Sequence, residues 1–437
     1  MKSSPFTLNR QFIPLSIFLI KWILICIGIA LMAGTASAVF LHSLSWATEF
    51  RDNHNWLLYL LPLGGLAVGL LYHYFGKEVE AGNNQIIQEI QNPEKIIPAR
   101  MAPFVLLGTV VTHFFGGSAG REGTAIQMSA SLADQITKIF KLTASDRKII
   151  LIAGIAAGFG SVFGTPLAGA AFGLEVFIIG RMRYEAILPS FLASILADYV
   201  CHLWGAHHSH YVVDMIPQAT LMNVIYAALA GICFGLAGQA FSRFTSWFGK
   251  LLKGNINYKP MVPVVGGFII IALVLLLDVI GINDLTSERS KFIGLGLPTI
   301  QAAFNQQLPV YDWALKLLFT GITLGAMYKG GEVTPLFFIG ATLGNALSLF
   351  LPLPTALLAG MGFVAVFSGA ANTPIACTLM AMELFGAEIG IYAGVACVVS
   401  YLFSGHYGIY SSQIVGSLKH DRLIEDKGKQ LKDIKVQ

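Results

Sequence analysis

The chain has 437 residues, 55% of them hydrophobic and 12% charged, with a formal net charge of +4 and a mean hydropathy of +0.67. Soluble globular domains carry about 25% charged residues, so the composition excludes an ordinary soluble protein. The small positive balance gives no reason to expect a nucleic-acid partner.

The first predicted element, 12–40, is one of three long apolar runs. The others are 56–75 and the stretch from Val264 to Ile282. Each approaches or exceeds the roughly 20 residues needed to cross a bilayer. Ala36-Ser37-Ala38 resembles a signal-peptidase site, but the apolar run before it is longer than the roughly 7–15 residues of a signal h-region. A retained first helix is expected. Further helical segments are predicted at 102–115, 124–140, 148–160, 165–179, 184–204, 219–250, 260–282, 310–328, 335–350, 355–368, 373–385 and 388–403. Several are too short to span alone.

Basic residues gather between the apolar segments and at the ends: Lys2 and Arg10; Lys138, Lys141, Arg147 and Lys148; Lys419, Arg422, Lys427, Lys429, Lys432 and Lys435. The positive-inside rule makes these stretches, and both termini, cytoplasmic. The expected organisation is a segment 1–11, a first membrane repeat 12–203, a polar connector 204–218, a second repeat 219–414 and a charged tail 415–437. The connector holds His207, His208 and His210. A metal site is conceivable there, but a solvated loop with incidental histidines accounts for them, and no metal or cofactor is expected. Cys26, Cys201, Cys233, Cys377 and Cys397 sit in apolar segments without metal-ligand spacing and read as buried thiols.

The two halves share landmarks. The spacing from Pro to Glu is 9 in both, from Pro166 to Glu175 and from Pro374 to Glu383. Glu122 precedes Pro166 by 44 residues, and Glu332 precedes Pro374 by 42. Gly82-Asn83-Asn84 lies 40 before Glu122, and the run from Gly294 to Pro298 begins 38 before Glu332. Three landmarks in one order argue for an internal duplication. Spacing is silent on orientation; inverted repeats are common in transporters and are expected here.

Gly82-Asn83-Asn84, Gly120 to Thr124, and Gly330 to Pro335 each read as a glycine-rich turn opening a helix. Such starts offer unpaired N–H groups and a partial positive charge, and they bind anions. Convergent starts would make a dry anion site without a fixed cation, which suits release as well as capture. A carboxylate at membrane depth is a functional-site hypothesis by default. Glu122 can occupy the anion site as a tethered competitor, and protonation would release it. The plainer alternative is that Glu122 pairs with Arg121 at a surface, but adjacent helical residues point apart.

Gly-Arg-Glu-Gly at 120–123, with Phe163-Gly164-Thr165-Pro166-Leu167-Ala168-Gly169, resembles the CLC family of chloride channels and anion/proton antiporters over about 40–415. Three departures resemble its fluoride/proton antiporter branch. Gly82-Asn83-Asn84-Gln85-Ile86 stands where common members have Gly-Ser-Gly-Ile-Pro. Gly331-Glu332-Val333-Thr334-Pro335 stands where they have Gly-x-Phe-x-Pro, and Thr124 replaces a proline. The resemblance implies an all-helical membrane protein of the CLC fold, with broken and re-entrant helices, assembled as a homodimer with one pathway per subunit. Glu122 would be the gating, proton-carrying glutamate. Asn83 would replace the anion-contacting serine, and Gly123 and Thr124 would belong to the same anion site. Glu332, Val333 and Thr334 would take the second anion-binding segment, and Tyr410 would be the central pore tyrosine.

Taken alone, Asn83 and Thr334 read as helix caps and Tyr410 as an interfacial tyrosine; the resemblance favours ligation. Many antiporters of the family carry an inner glutamate one residue beyond the position of Glu175, where this chain has Val176. Glu332 is therefore the preferred second proton site, and Glu175 and Glu383 read as structural. The expected function is export of cytoplasmic fluoride driven by inward protons, in a bacterial inner membrane. A chloride/proton antiporter or passive anion channel of the same fold is the alternative. An intramembrane enzyme is disfavoured, because no metalloprotease His-Glu-x-x-His run, nucleophile elbow or aspartate pair occurs in the apolar segments.

Overall fold

The computed structural model describes residues 7–209, 211–282 and 291–434. Lys2, His210 and Lys435 lie outside these residues, as do the side chains of Arg10 and Arg422. The described residues form sixteen α-helices and one pair of two-residue strands. The first half runs α1 (Thr7–Asp52), α2 (Leu61–Phe75), α3 (Asn83–Gln91), α4 (Met101–Phe114), α5 (Glu122–Phe140), α6 (Ala144–Phe163), α7 (Pro166–Glu175) and α8 (Ile187–Leu203). The second half runs α9 (Leu221–Asn255), α10 (Val262–Val279), α11 (Leu297–Asn305), α12 (Asp312–Gly325), α13 (Val333–Leu347), α14 (Thr355–Ala371), α15 (Pro374–Phe385) and α16 (Gly390–Phe403). Five helical stretches among the described residues are long and apolar enough to cross a membrane; several of the others, such as α3, α7 and α11 with 9 or 10 residues, are short, as the sequence leads one to expect.

The halves match helix for helix. Helices α3 and α11 each have 9 residues, and both follow a glycine at positive φ, Gly82 and Gly296. Helices α4 and α12 each have 14. Helices α7 and α15 both open on proline after a threonine with nearly the same backbone, Thr165 at φ −128° and Thr373 at φ −129°. Proline suits that first position because its missing N–H has no helical partner to lose.

Contacts between the halves are reciprocal. Gly120 N donates to Gly331 O at 2.6 Å and Gly331 N to Gly120 O at 2.7 Å, an antiparallel bridge. The Glu175 carboxylate accepts from Ile375 N and Ala376 N at 3.2 and 2.9 Å. Glu383 accepts from Leu167 N and Ala168 N, both at 2.8 Å. The C-terminal end of each helix thus caps the N-terminal end of the other, so α7 and α15 run antiparallel. That is the signature of inverted repeats. The bridge also fixes the register. Gly120 corresponds to Gly331, so Glu332 corresponds to Arg121 and Glu122 to Val333. The near-equal spacings that aligned Glu122 with Glu332 were one residue out of register.

Close packing uses small residues, as is usual between membrane helices. A Cβ on Gly340 of α13 would run into the Gly362 carbonyl of α14. All five cysteines are free, four of them buried. Three sequence expectations change. Helix α1 continues past residue 40 to Asp52, because polar residues interrupt the hydropathy there without breaking the helix. Helices α3 and α11 were outside the predicted segments; α3, Asn-Asn-Gln-Ile-Ile-Gln-Glu-Ile-Gln, is short and polar. Arg147 is no free cytoplasmic cation. It is buried, and binds Asp134 at 2.8 Å and Glu89 at 2.9 Å, tying α3 to α5 and α6.

The charged stretch after 415 is docked against the membrane domain. Ile414–Val415 pairs in parallel with Ile178–Ile179. Lys419 Nζ donates to Asn372 Oδ1, Tyr401 O, Ser404 Oγ and Gly405 O at 2.5 to 3.0 Å.

Candidate anion and proton site

The Gly120–Gly331 bridge sets the starts of α5 and α13 against each other at the centre of the fold. Both glycines are required by the approach: a Cβ on Gly331 would lie 2.7 Å from Gly123 N, and one on Gly120 would lie 3.0 Å from the Glu122 carboxylate. Arg121 and Glu332 are the residues just before the two helices.

Glu122, the first residue of α5, is fully buried. Its carboxylate lies on the start of α13. Thr334 N donates to Oε2 at 3.0 Å, and Thr334 Oγ1 to Oε1 at 2.5 Å. Arg121 adds its own N–H to Oε2 at 3.2 Å and its Nε to Oε1 at 3.4 Å. The argument that neighbouring side chains point apart fails here, because Arg121 stands outside the helix. The pair is real, but it is buried rather than on a surface. The carboxylate therefore occupies the place where orphan helix N–H groups would hold an anion.

Beneath it, Asn83, Gly123 and Glu332 converge. Around the point where a Gly123 side chain would begin, Asn83 Nδ2 lies at 3.1 Å and Glu332 Oε2 at 3.3 Å. Any larger residue at Gly123 would press on both. Asn83 Oδ1 and Tyr410 Oη are buried without a hydrogen-bond partner among the described residues. The two residues line one cavity of about 10 Å³, with Ile126, Phe172 and Val176. That is about the space of one water molecule. Asn84 turns away: its Oδ1 accepts from Ser412 N at 3.0 Å. Asn83 is thus the residue that faces the cavity.

By the contacts seen, two of the expected anion-binding residues bring no side chain aimed at this cluster. The Thr124 hydroxyl is paired with Thr109 Oγ1 at 2.7 Å, and Val333 is buried in the first turn of α13. Val176 presents an apolar wall to the inner cavity. Glu175 and Glu383 cap helices and stand apart from this cluster.

On the other side of Glu122 lies a second cavity of about 10 Å³, walled by Arg121, Tyr211, Thr334, Phe337 and Phe363. Phe337 and Phe363 stack with centroids 3.9 Å apart. Arg121 and Leu297 also line a vestibule of about 750 Å³ that holds Arg51 and Lys291. The connector 204–218, read as a polar, solvated loop, supplies Ser209 and Tyr211 to the chamber wall. A buried-type aromatic in a polar stretch was the available signal. Glu122 thus stands between a water-sized cavity and a vestibule lined by Arg51, Arg121 and Lys291 together with Glu49 and Asp52.

The chain is similar to known membrane proteins over most of its length. The family described as "Voltage gated chloride channel" matches residues 64–405. A "Chloride/fluoride channel protein" of Pseudomonas syringae pv. tomato is 53% identical over 96% of this chain and 91% of its own length. An "H(+)/Cl(-) exchange transporter" of Salmonella paratyphi B is 24% identical over 86% of this chain and 82% of its own. Among solved structures, a CLC-type fluoride/proton antiporter superposes with a TM-score of 0.84 and 31% identity, covering 94% of this chain and 99% of that one. A slow cyanobacterial Cl−/H+ antiporter gives a TM-score of 0.74 at 20% identity, covering 88% and 94%.

Proposed function

The chain belongs to the CLC family of membrane anion transporters, and from that premise we propose that it exchanges cytoplasmic fluoride for external protons. The observation that carries this reading is the Glu122 carboxylate lying on the Thr334 N–H and hydroxyl, beside a water-sized cavity lined by the Asn83 amide and the unpaired Tyr410 phenol. Charged Glu122 holds the α13 donors itself. Protonation removes the charge that holds it there, and the same donors become available to an anion.

Fluoride is small, hard and strongly hydrated. A site that strips its water must return several strong hydrogen bonds. Asn83 has an amide N–H2 to give, Tyr410 a phenol and Thr334 a hydroxyl and a backbone N–H. Glu332, 3.3 Å from the Gly123 Cβ position, is the second proton site. As a neutral acid it can donate to fluoride, and as a carboxylate it can pass the proton inward. This assignment gives the pathway an inner acid even though Val176 is apolar.

The basic stretches around Lys138, Lys141 and Lys148 put that side in the cytoplasm by the positive-inside rule. The vestibule with Arg51 and Lys291 then faces outward, both termini lie in the cytoplasm, and the membrane is the bacterial inner membrane. The assembly is a homodimer with one pathway in each subunit. The relative named as a chloride/fluoride channel and the solved fluoride/proton antiporter support the choice of fluoride.

The test is reconstitution in liposomes, with fluoride and chloride electrodes and a pH record. Fluoride efflux with proton uptake and little chloride movement is expected. Equal or faster chloride efflux would keep the family and remove fluoride as the substrate, leaving a chloride/proton antiporter; anion flow without proton movement would leave a channel.

A further inference from the structure

We propose that Asp198, His202 and His208 form a binding site for a zinc-like transition-metal dication, placed so that the bound ion braces the chain segment over Glu122. Asp198 and His202 lie one turn apart on α8, and His208 follows in the connector. Asp198 Oδ1 stands 3.4 Å from His202 Nδ1 and 3.8 Å from His208 Nε2. One ligand atom from each residue lies within 4.8 Å of the other two. Zinc bound tetrahedrally by nitrogen and oxygen at about 2.0–2.2 Å holds its ligands roughly 3.4 Å apart. The two spacings from Asp198 are at or slightly above that value and the spacing between the histidines is within 4.8 Å, so closing around an ion needs side-chain movement of about 1 Å.

The surroundings favour a cation. Asp198 Oδ1 is a buried carboxylate oxygen with no hydrogen bond among the described residues, an arrangement that costs free energy unless a charge balances it. The side chains of Asp198 and His208 are 18% and 8% exposed, which makes them a fixed pair. His202, 49% exposed, lies against the His208 ring with its Nδ1 3.0 Å from the Asp198 carbonyl, a contact that must give way for Nδ1 to take a metal. Water would fill the fourth position. Two imidazoles and one carboxylate suit zinc, copper or nickel, whereas calcium and magnesium need more oxygen ligands. The sequence pointed at His207, His208 and His210. The structure leaves His207 exposed, and His208 finds its partners on α8 instead.

The location gives the site a consequence. The His208 ring packs over Gly164, where a Cβ would meet Cδ2 at 2.6 Å. Ser209 and Tyr211, just beyond it, wall the outer cavity above Glu122. The His202 end of α8 also meets α1 on the vestibule side, through His42 Nε2 and Trp204 O at 3.0 Å. An ion holding His208 to α8 would hold this wall closed.

Zinc sulfate titrated calorimetrically into the tag-free, chelator-stripped protein in detergent tests the site without reference to transport. One zinc per chain is expected, with magnesium failing to compete, and cobalt(II) should give the visible absorption of a four-coordinate site. His208→Ala and Asp198→Asn should each weaken binding by more than the roughly 10–100-fold typical of losing a mere outer-shell partner. His202→Ala, at an exposed position, should weaken it as well. No zinc bound by the wild type, or binding that all three variants leave unchanged, would overturn the site. In liposomes, zinc added outside should slow anion efflux in the wild type and not in His202→Ala. Zinc binding without slowing would overturn the bracing role.

Discussion

The two places where the repeats meet use the same chemistry to opposite ends. At the α7–α15 crossing, Glu175 and Glu383 each lay a carboxylate on the other helix's N-terminus. Every cap is answered, and the arrangement is symmetric. At the α5–α13 crossing, only one start is capped. Glu122 covers the Thr334 N–H, but its counterpart in the second repeat is Val333, which has no carboxylate to return. Around Gly123, the equivalent of Thr334, stand Asn83 and Glu332 instead. A carboxylate on a helix N-terminus is thus not functional by itself. The symmetric crossing is a fastener, while the unanswered one leaves a helix start open beside a cavity. The lost symmetry is where a transported ion can enter the ledger of hydrogen bonds.

The comparison is sharpest at Glu122. Glu122→Gln keeps the shape and an acceptor but removes the titratable charge. Proton uptake accompanying fluoride efflux from liposomes should fall to the level of protein-free vesicles. Persistent proton pumping would make Glu122 another fastener. Glu332→Gln comes next: proton-coupled fluoride flux should fall at least about tenfold, equivalent to about 1.4 kcal/mol, with no loss of thermal stability. Intact coupling would remove Glu332 from the proton route. Asn83→Ser restores the serine of chloride-handling relatives and deletes an amide donor. A hydrogen bond to a charged partner is worth about 1.5–3 kcal/mol, so the fluoride-over-chloride ratio in paired electrode records should drop roughly tenfold to a hundredfold. An unchanged ratio would recast Asn83 as a cap.

Much of this was readable in the chain because membrane depth makes exceptions conspicuous. Glu122 and Glu332 stood out as rare carboxylates in glycine-rich breaks, and the recurring Pro-to-Glu spacing exposed the duplication. Register was not readable. Spacings of 44 and 42 looked like a match between Glu122 and Glu332, but loop lengths differ between repeats, and only the Gly120–Gly331 bridge aligns Glu332 with Arg121. Partnerships between distant segments were equally hidden. Nothing local says that Thr124 turns to Thr109, that Asn84 is taken by Ser412, or that Tyr211 of the connector returns to the chamber. Helix α3 escaped because its nine residues are too short and polar for a hydropathy signal, while its place is set by buried Ile86, Ile87 and Ile90 and by Glu89 on Arg147.

The symmetric crossing makes the converse prediction. Glu383→Ala leaves Leu167 N and Ala168 N without their acceptor. Charge-assisted bonds of this kind contribute about 1.5–3 kcal/mol each, so thermal unfolding in detergent should shift down by several degrees. Proton coupling of the folded fraction should persist. Loss of coupling at wild-type stability would mean that the fasteners also carry protons.

The smallest effect concerns the docked tail, which neither crossing touches. His406 Nδ1 lies 2.7 Å from Asp426 Oδ2, and Lys419 N donates to His406 Nε2 at 3.3 Å. A ring that accepts at Nε2 is neutral, with its proton on Nδ1 facing Asp426. Burial lowers the pKa of His406 from the ordinary 6.5, against the pull of Asp426. The unfolded tail therefore binds the proton more readily than the docked one. Docking is complete above about pH 6.5 and weakens as pH falls through and below the ordinary histidine range. Hydrogen-exchange protection of residues 416–434, corrected for the intrinsic rate, should fall at pH 5.5 relative to pH 7.5, while protection in α7 and α15 should stay unchanged. His406→Gln keeps a side-chain amide but cannot gain a charge, and should flatten the tail's response. A response that survives in His406→Gln would assign the pH dependence to another group.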